Sequence, residues 1–263
     1  MSQYSGIRGR RILVTGATSG LGLAMARALV GGGAKVLISG RDQKKIDQAV
    51  SLLKPLPGEC AGALIDVRDE QSIAKGLAGM VQLWGGIDVL INNAGIGMRT
   101  VNPGFMTDPK PFWEISPSGF RDLIDTNLTG YFLVARAVMP YFLKTGSGRI
   151  INIGVSEGTK KRKGFIPYGP SRAGTESLSR IMAQDLAGLG VTVNILQPGG
   201  ATETGMLPEE SRADRGAQFL RPEVMAEPIL FLCSDESGSL HDEHIIAKDF
   251  QEWKTQWRAR NRQ

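Results

Sequence analysis

The chain has 263 residues, enough for one large α/β domain with a well-buried core, and its 41% hydrophobic and 22% charged residues are ordinary proportions for a globular protein. No apolar stretch is as long as a membrane span, and the polar first ten residues lack an apolar signal region, so we expect a cytoplasmic protein without a membrane partner. The net charge is +5, but the basic residues are scattered apart from residues 160–163 and the C-terminal tail, so a nucleic-acid partner is not expected.

Short apolar runs alternate with longer helical patterns along the chain. The runs are apolar throughout, as expected for parallel strands whose two sheet faces are both covered by helices. Strands are predicted at residues 11–15, 35–39, 61–66, 87–92, 149–153, 191–196 and 244–248. Helices are predicted at residues 21–30, 43–53, 69–83, 119–143, 168–187 and 221–233. The alternation predicts an α/β fold with a doubly wound parallel sheet of about seven strands in three αβα layers.

The first strand ends in a glycine-rich turn that opens a helix, Gly16-Ala17-Thr18-Ser19-Gly20-Leu21-Gly22. Glycines at this spacing let the backbone curl tightly and approach a pyrophosphate, which rests on the free N–H groups and the positive dipole end of the helix. Because the turn lies between a strand and a helix near the N-terminus, it predicts a dinucleotide site. We expect residues 1–263 to form a single dinucleotide-binding domain, which the family resemblance given below makes an NAD(P)-binding domain of the Rossmann type.

In a doubly wound sheet a ligand lies across the carboxyl ends of the strands. The residues that bind ligand and take part in catalysis are therefore expected in the segments that follow the strands. In chain order after the glycine turn, these segments are Gly40-Arg41, Asp66-Val67, Asn92-Asn93-Ala94-Gly95, Gly154-Val155-Ser156 and Pro198-Gly199.

Along nearly all of its length to about Asp235, the chain resembles the short-chain dehydrogenase/reductase family. The residues that carry the resemblance are Thr15-Gly16-x-x-x-Gly20-x-Gly22, Asp66, Asn92-Asn93-Ala94-Gly95, Asn127 within residues 125–130, Tyr168 within residues 168–172, and Pro198-Gly199. The resemblance implies a Rossmann-type fold, a bound nicotinamide dinucleotide, and hydride transfer to or from a carbonyl or alcohol.

The resemblance also implies site residues. Tyr168 would be the general acid/base, and Asn127 would anchor a water in a proton relay. Without the resemblance, Tyr168 reads as a half-buried aromatic at a helix start, Asn127 as a residue that satisfies a helix kink, and Asp66 as a helix cap. The residues expected to contact the cofactor are Gly16, Thr18, Ser19, Gly20, Leu21, Gly22, Arg41, Asp66, Val67, Asn93, Ala94, Gly95, Tyr168, Arg172, Pro198, Gly199, Thr202 and Thr204. Thr202 and Thr204 are equal candidates for the nicotinamide carboxamide.

The chain departs from the family pattern at two catalytic positions. Arg172 stands where the family has a lysine, one helical turn after the tyrosine; its guanidinium keeps a positive charge there and can donate to ribose hydroxyls, but it cannot release a proton. Val155 stands where the family has a serine, thirteen residues before the tyrosine, and Ser156 is next to it. Ser156 either fills the serine's role or bonds its own backbone.

Together with the resemblance, these residues predict an NADP-dependent oxidoreductase, and the resemblance implies Tyr168, Ser156, Asn127 and Arg172 as its catalytic set. NADP is favoured because Gly40-Arg41 stands where NAD enzymes of this fold place a carboxylate, although Asp42 leaves NAD possible. The alternative is a dinucleotide-binding homologue with little or no turnover, a sensor or structural subunit, because Arg172 replaces the lysine. If the site merely drifted from its ancestor, Arg172→Lys should raise activity, and that is the outcome the sequence favours.

A small-molecule carbonyl or alcohol is the expected substrate, and a homodimer or homotetramer the expected assembly. The long helices at 119–143 and 168–187 would pair subunits through the run at 131–134 and through Leu178, Ile181 and Met182. The aromatic loop at 98–116 is either a substrate wall or a subunit contact. The sequence around His241 and His244 reads as a polar loop, so no metal is expected. Cys60 and Cys233 are expected as free thiols in apolar surroundings.

Overall fold

Seven parallel strands form one sheet in a computed structural model that describes residues 4–207, 219–238 and 240–260. The strands are β1 (Arg11–Val14), β2 (Lys35–Gly40), β3 (Glu59–Leu64), β4 (Val89–Asn92), β5 (Gly148–Ile153), β6 (Val191–Gln197) and β7 (His244–Ile246). Their order across the sheet is β3-β2-β1-β4-β5-β6-β7. The chain runs outward from β1 to one edge and then from β4 to the other, so the direction of winding reverses between β1 and β4.

Helices cover both faces of the sheet. In chain order they are α1 (Gly20–Gly31), α2 (Gln43–Leu53), α3 (Glu70–Trp84), α4 (Pro117–Ile124), α5 (Gly130–Thr145), α6 (Glu157–Lys160), α7 (Tyr168–Asp185), α8 (Ala226–Cys233) and α9 (Phe250–Arg260). Alternate residues of β1 face opposite ways: Ile12 and Val14 belong to a core cluster with α1 and α8, and Leu13 to a cluster with α3 and α5. The doubly wound, three-layer prediction is therefore confirmed.

One predicted helix is interrupted. The pattern at 119–143 is α4, then a π-helical turn (Asp125–Thr129), then α5. The turn places Asn127 where its side chain bonds the backbone of Ile96, a contact with the loop after β4. The helix begins at Pro117, two residues before the predicted start, because the Ser116 hydroxyl caps it by accepting a hydrogen bond from the Gly119 N–H at 3.1 Å.

Other segments also differ from prediction in their bounds or their form. β3 begins at Glu59, two residues early, because it pairs in register with β2 along its whole length, and as the edge strand it is only half-buried. The segment at 221–233 begins with a 3₁₀ turn (Pro222–Met225) before α8. The basic tail forms α9, which packs on the aromatic core around Phe231.

Both cysteines are free, as predicted. Burial raises the pKa of the Cys60 thiol to about 11 and that of Cys233 to about 12, so both stay protonated at neutral pH. In the described part of the chain, no helix combines the length and apolar character that a membrane crossing requires, and no cluster of three metal-ligating side chains occurs. The His241 ring instead bonds the backbone of Val193 and Ala183.

Candidate active site

A cavity of about 550 Å³ lies across the carboxyl ends of the strands, where the winding reverses. It runs along the glycine turn, past the ends of β4 and β5, to the first turn of α7. Its walls include nearly all of the predicted site: Gly16, Thr18, Ser19, Gly20, Leu21, Gly22, Arg41, Val67, Asn93, Ala94, Gly95, Ser156, Tyr168, Arg172, Pro198, Gly199, Thr202 and Thr204. Two predicted residues, Asp66 and Asn127, are not part of its walls.

The glycine turn is shaped for a phosphate. Gly16 has φ +63°, and a Cβ there would lie 2.7 Å from Ala94 Cα. A Cβ on Gly22 would lie 2.5 Å from Asn93 Nδ2, which itself donates to the carbonyls of Thr15 and Gly16. The Ser19 side chain makes no capping bond, so it leaves the first N–H groups of α1 open to the cavity. These features fit the pyrophosphate of a dinucleotide.

The far end of the cavity carries two cations, Arg41 and Lys45. Neither forms an ion pair within the part of the chain that the structure describes. The Asp42 carboxylate, which could have repelled a phosphate, caps α2 by accepting from the Lys45 N–H at 3.2 Å. Lys45 was not predicted; its position four residues after Arg41, on the first turn of α2, is the signal that could have found it.

Asp66 is bound within the chain rather than exposed on the cavity wall. Arg68 donates to both of its carboxylate oxygens, at distances from 2.6 to 3.2 Å. Hydrogen bonds from Arg68, with a smaller effect of Arg41, hold the pKa of Asp66 below its usual value. Its expected contact with the cofactor stays a prediction.

Tyr168 and Arg172 meet on the first turn of α7, because residues four apart share a helix face. The Arg172 Cζ lies 5.3 Å from the centroid of the Tyr168 ring. Burial alone would lower the pKa of Arg172, but attraction to the hydroxyls of Tyr131 and Tyr168 raises it above its ordinary value. The site therefore places a buried cation beside Tyr168.

Ser156 lies on the cavity wall next to Val155. Its hydroxyl is 3.0 Å from that of Thr159, one turn later, and Thr159 also lines the cavity. Of the two interpretations of Ser156, the self-bonded loop residue has no backbone bond to support it, because its side chain does not cap α6. Thr159 was missed by the sequence analysis, although its spacing from Ser156 was visible.

The Asn127 side chain forms hydrogen bonds with the backbone of the loop after β4. Its Oδ1 accepts from the Ile96 N–H at 2.9 Å, and its Nδ2 donates to the Ile96 carbonyl at 3.0 Å and to the Ser171 hydroxyl at 3.2 Å. The residue is fully buried, so it positions the loop after β4 from behind rather than facing the cavity. The helix-kink interpretation describes this geometry, while a water relay through Asn127 stays a prediction.

Both threonine candidates line the cavity. The Thr202 hydroxyl donates to the Gly200 carbonyl at 3.2 Å, whereas the Thr204 hydroxyl accepts from Met206 N–H at 3.4 Å. A Cβ on Gly20 would lie 3.2 Å from the Thr204 methyl, so Thr204 closes over the glycine turn.

The loop at 98–116 divides between cavity and surface. Phe105 is buried and forms an apolar cluster with Met98 and Phe165 on the cavity wall. Phe112 and Trp113 are 66% and 72% exposed and lie outside the cavity. The substrate-wall interpretation thus describes Phe105, and a subunit contact stays open for the two exposed rings.

The sequence matches the model of the short chain dehydrogenase family over residues 10–215. It is 34% identical over 240 residues to the 3-oxoacyl-(acyl-carrier-protein) reductase FabG of Thermotoga maritima, and the match covers 88% of this chain and 93% of that one. It is also 34% identical over 193 residues to the gluconate 5-dehydrogenase of Gluconobacter oxydans, covering 73% of this chain and 72% of that enzyme.

Solved structures are similar over the same extent. The 3-ketoacyl-(acyl-carrier-protein) reductase of Brucella melitensis, complexed with NADH, superposes with a TM-score of 0.79 at 26% identity, covering 92% of this chain and 97% of that one. The actinorhodin polyketide ketoreductase with NADPH gives a TM-score of 0.77 at 27% identity, with the same coverage.

Proposed function

The chain belongs to the short-chain dehydrogenase family, and we propose that it transfers a hydride between NADP and a carbonyl or alcohol substrate, with Tyr168 as the general acid/base. Its relatives are named as a 3-oxoacyl reductase and a gluconate dehydrogenase, and two similar structures contain NADH or NADPH, which supports nicotinamide-dependent oxidoreduction at CH–OH or C=O groups. One observation carries the finer proposal: a single cavity joins the phosphate-shaped glycine turn to Tyr168 and Arg172.

In the proposed hydride transfer, Tyr168, Arg172 and Ser156 have different roles. The nicotinamide, when bound, supplies or accepts the hydride. In the reducing direction, the Tyr168 hydroxyl gives its proton to the substrate oxygen, and the guanidinium of Arg172 stabilises the phenolate that remains. The Ser156 hydroxyl donates a hydrogen bond to the same substrate oxygen, while its own position is supported by Thr159.

The apolar wall around Phe105 and Phe165 favours substrates with an apolar portion next to the reacting carbon. Arg162 lies over the Phe165 ring at 4.8 Å and also lines the cavity, so a substrate with an anionic group would meet a cation there. The apolar wall suits an acyl chain better than it suits the polyhydroxylated chain of a sugar acid.

The test is the loss of the Tyr168 hydroxyl. We expect Tyr168→Phe to lower kcat roughly a thousandfold, because proton transfer is lost only at the reacting centre, and to leave NADPH affinity within about twofold. Turnover is followed by NADPH absorbance on a panel of 3-oxoacyl thioesters, cyclic ketones and sugar acids, and NADPH binding by calorimetry. Tyr141→Phe, on α5 and outside the cavity, is the matched control.

Two results would contradict the proposal. Tyr168→Phe with wild-type kcat would remove Tyr168 from the acid/base role. Wild-type protein that binds NADPH but reduces nothing on the panel, and oxidises none of the matching alcohols with NADP, would support the non-catalytic dinucleotide-binding alternative.

A further inference from the structure

The guanidinium of Arg172 is buried between two tyrosine rings. Its Cζ lies 5.5 Å from the ring centroid of Tyr131 and 5.3 Å from that of Tyr168. Only 4% of Arg172 is exposed, and no carboxylate in the described ranges, 4–207, 219–238 and 240–260, pairs with it. Because a buried cation without a counter-ion is costly unless hydrogen bonds hold it, the neutral groups around Arg172 decide where its guanidinium lies.

Tyr131 accepts the shorter of the two hydrogen bonds that Nη1 of this guanidinium makes. Its hydroxyl accepts from Arg172 Nη1 at 2.9 Å and donates to the Ile153 carbonyl at 3.3 Å. The same Nη1 lies 3.4 Å from the Ile153 carbonyl. Since Tyr131 is on the first turn of α5 and Ile153 ends β5, these bonds tie the guanidinium to two elements besides its own.

We propose that Tyr131 is a positioning residue for the active-site cation: its hydroxyl fixes Nη1 of Arg172 and leaves Nη2 for the cofactor. Nε is buried and has no hydrogen-bond partner among the described residues. Nη2 lies beside Gly95, where a Cβ would come within 2.4 Å of it. This inference rests on the proposed function, in which Arg172 contacts the ribose and stabilises the Tyr168 phenolate.

The Tyr131 hydroxyl is not needed for packing. Tyr131 is only 1% exposed, and a phenylalanine would fill the same space. A buried hydroxyl costs desolvation free energy unless it is bonded, and this one is bonded to Arg172 and Ile153. Burial raises the pKa of Tyr131, so its hydroxyl stays neutral and able to donate to the Ile153 carbonyl.

Tyr131 also changes the expectation for lysine at position 172. The lysine ammonium lies one bond closer to the backbone than Nη1 of an arginine, and it lacks the planar fork of a guanidinium. It would therefore not reach both the Tyr131 hydroxyl and the cavity wall. The sequence alone favoured a gain of activity for Arg172→Lys. With Tyr131 in contact, the site is built around a guanidinium, and we expect a loss.

The experiment is a double-mutant cycle of Tyr131→Phe and Arg172→Lys, with Tyr141→Phe as control on the same helix. For each variant, kcat and KM are measured with NADPH and the best panel substrate, NADPH affinity by calorimetry, and Tm by calorimetric melting. We expect Tyr131→Phe to weaken NADPH binding and to lower kcat/KM, each about tenfold, while Arg172→Lys lowers both further. In the Arg172→Lys background, Tyr131→Phe should change neither quantity by more than about twofold.

Equal losses from Tyr131→Phe in both backgrounds would overturn the proposal, because they would show a structural effect that does not act through Arg172. Wild-type affinity and kcat/KM in Tyr131→Phe would overturn it as well, as would a gain of activity in Arg172→Lys. The binding arm needs no turnover: if the wild-type protein binds NADPH and has no activity, the proposed function fails while the coupling of Tyr131 to Arg172 is still decided by calorimetry.

Discussion

The charged residues at the far end of the cavity differ in whether they already have hydrogen-bond or ion-pair partners within the chain. The two nearby carboxylates do: Asp42 accepts from the Lys45 N–H, and Asp66 is held by Arg68. Arg41 and Lys45 have no ion pair in the described part of the chain, and both line the cavity. Among the described residues, a ribose phosphate would therefore meet two cations without an ion pair, next to carboxylates that already have partners, which is the physical reason for proposing NADP.

This arrangement predicts cofactor preference. NADPH should bind at least about tenfold more tightly than NADH, since each charge-assisted contact to the phosphate is worth about 1.5–3 kcal/mol. Arg41→Ala and Lys45→Ala should each weaken NADPH about tenfold and leave NADH nearly unchanged. Lys44→Ala, the neighbouring lysine on α2 and outside the cavity walls, is the control. Calorimetry measures all four proteins with both cofactors, and equal wild-type affinities for the two would refute the preference.

For individual residues, the motif positions could be predicted from the sequence, whereas the residues that contact them could not. The glycine turn, Tyr168 and Arg172 are recognisable because each lies at a fixed spacing within a local pattern. Tyr131 carries no such signal, since its hydrogen-bond partner Arg172 is 41 residues away and it lies within an apolar run that read as a subunit contact. Lys45 and Thr159 were missed although their neighbours were named, because side-chain direction was not visible.

Among the helices and strands, too, those set by local sequence patterns were predictable, and those set by distant contacts were not. The sheet and most helices were predictable from apolar periodicity, whereas the π-helical turn at Asp125–Thr129 was not, because it is specified by the contact of Asn127 with a loop 31 residues away. The helix α9 was missed because its apolar positions are large aromatic residues in a basic segment. Phe250 and Trp253 stack with ring centroids 5.9 Å apart, and Trp253 and Trp257 at 6.1 Å.

The aromatic contacts of α9 predict a measurable share of stability. Trp253 packs against the buried ring of Phe231, with centroids 5.8 Å apart. Trp253→Ala should lower the free energy of unfolding by about 2 kcal/mol, less than for a fully buried tryptophan because the residue is partly exposed. Trp113→Ala, on the exposed loop, should change it by no more than about 0.5 kcal/mol. Urea unfolding followed by circular dichroism measures both, and equal effects would show that α9 does not anchor this core.

For the whole molecule, the question is which apolar surface the fold leaves uncovered. Tyr131 and Val134, expected at a subunit interface, are each 1% exposed within their own chain and are therefore core residues. Phe132 and Ile181 are 45% and 56% exposed on α5 and α7, the helices expected to pair subunits. The expected interface thus narrows to the outward faces of these helices, and the homodimer or homotetramer stays a prediction.

Ile181 gives the direct test of that assembly. A buried carboxylate at a symmetric interface is uncompensated on both sides, so Ile181→Asp should convert the oligomer to monomers at micromolar concentration. Leu52→Asp, at a 67% exposed position on α2, should leave the mass unchanged. Light scattering reports the mass of each protein. A wild-type monomer at micromolar concentration would refute the assembly, and an oligomer that persists in Ile181→Asp would place the interface on another face.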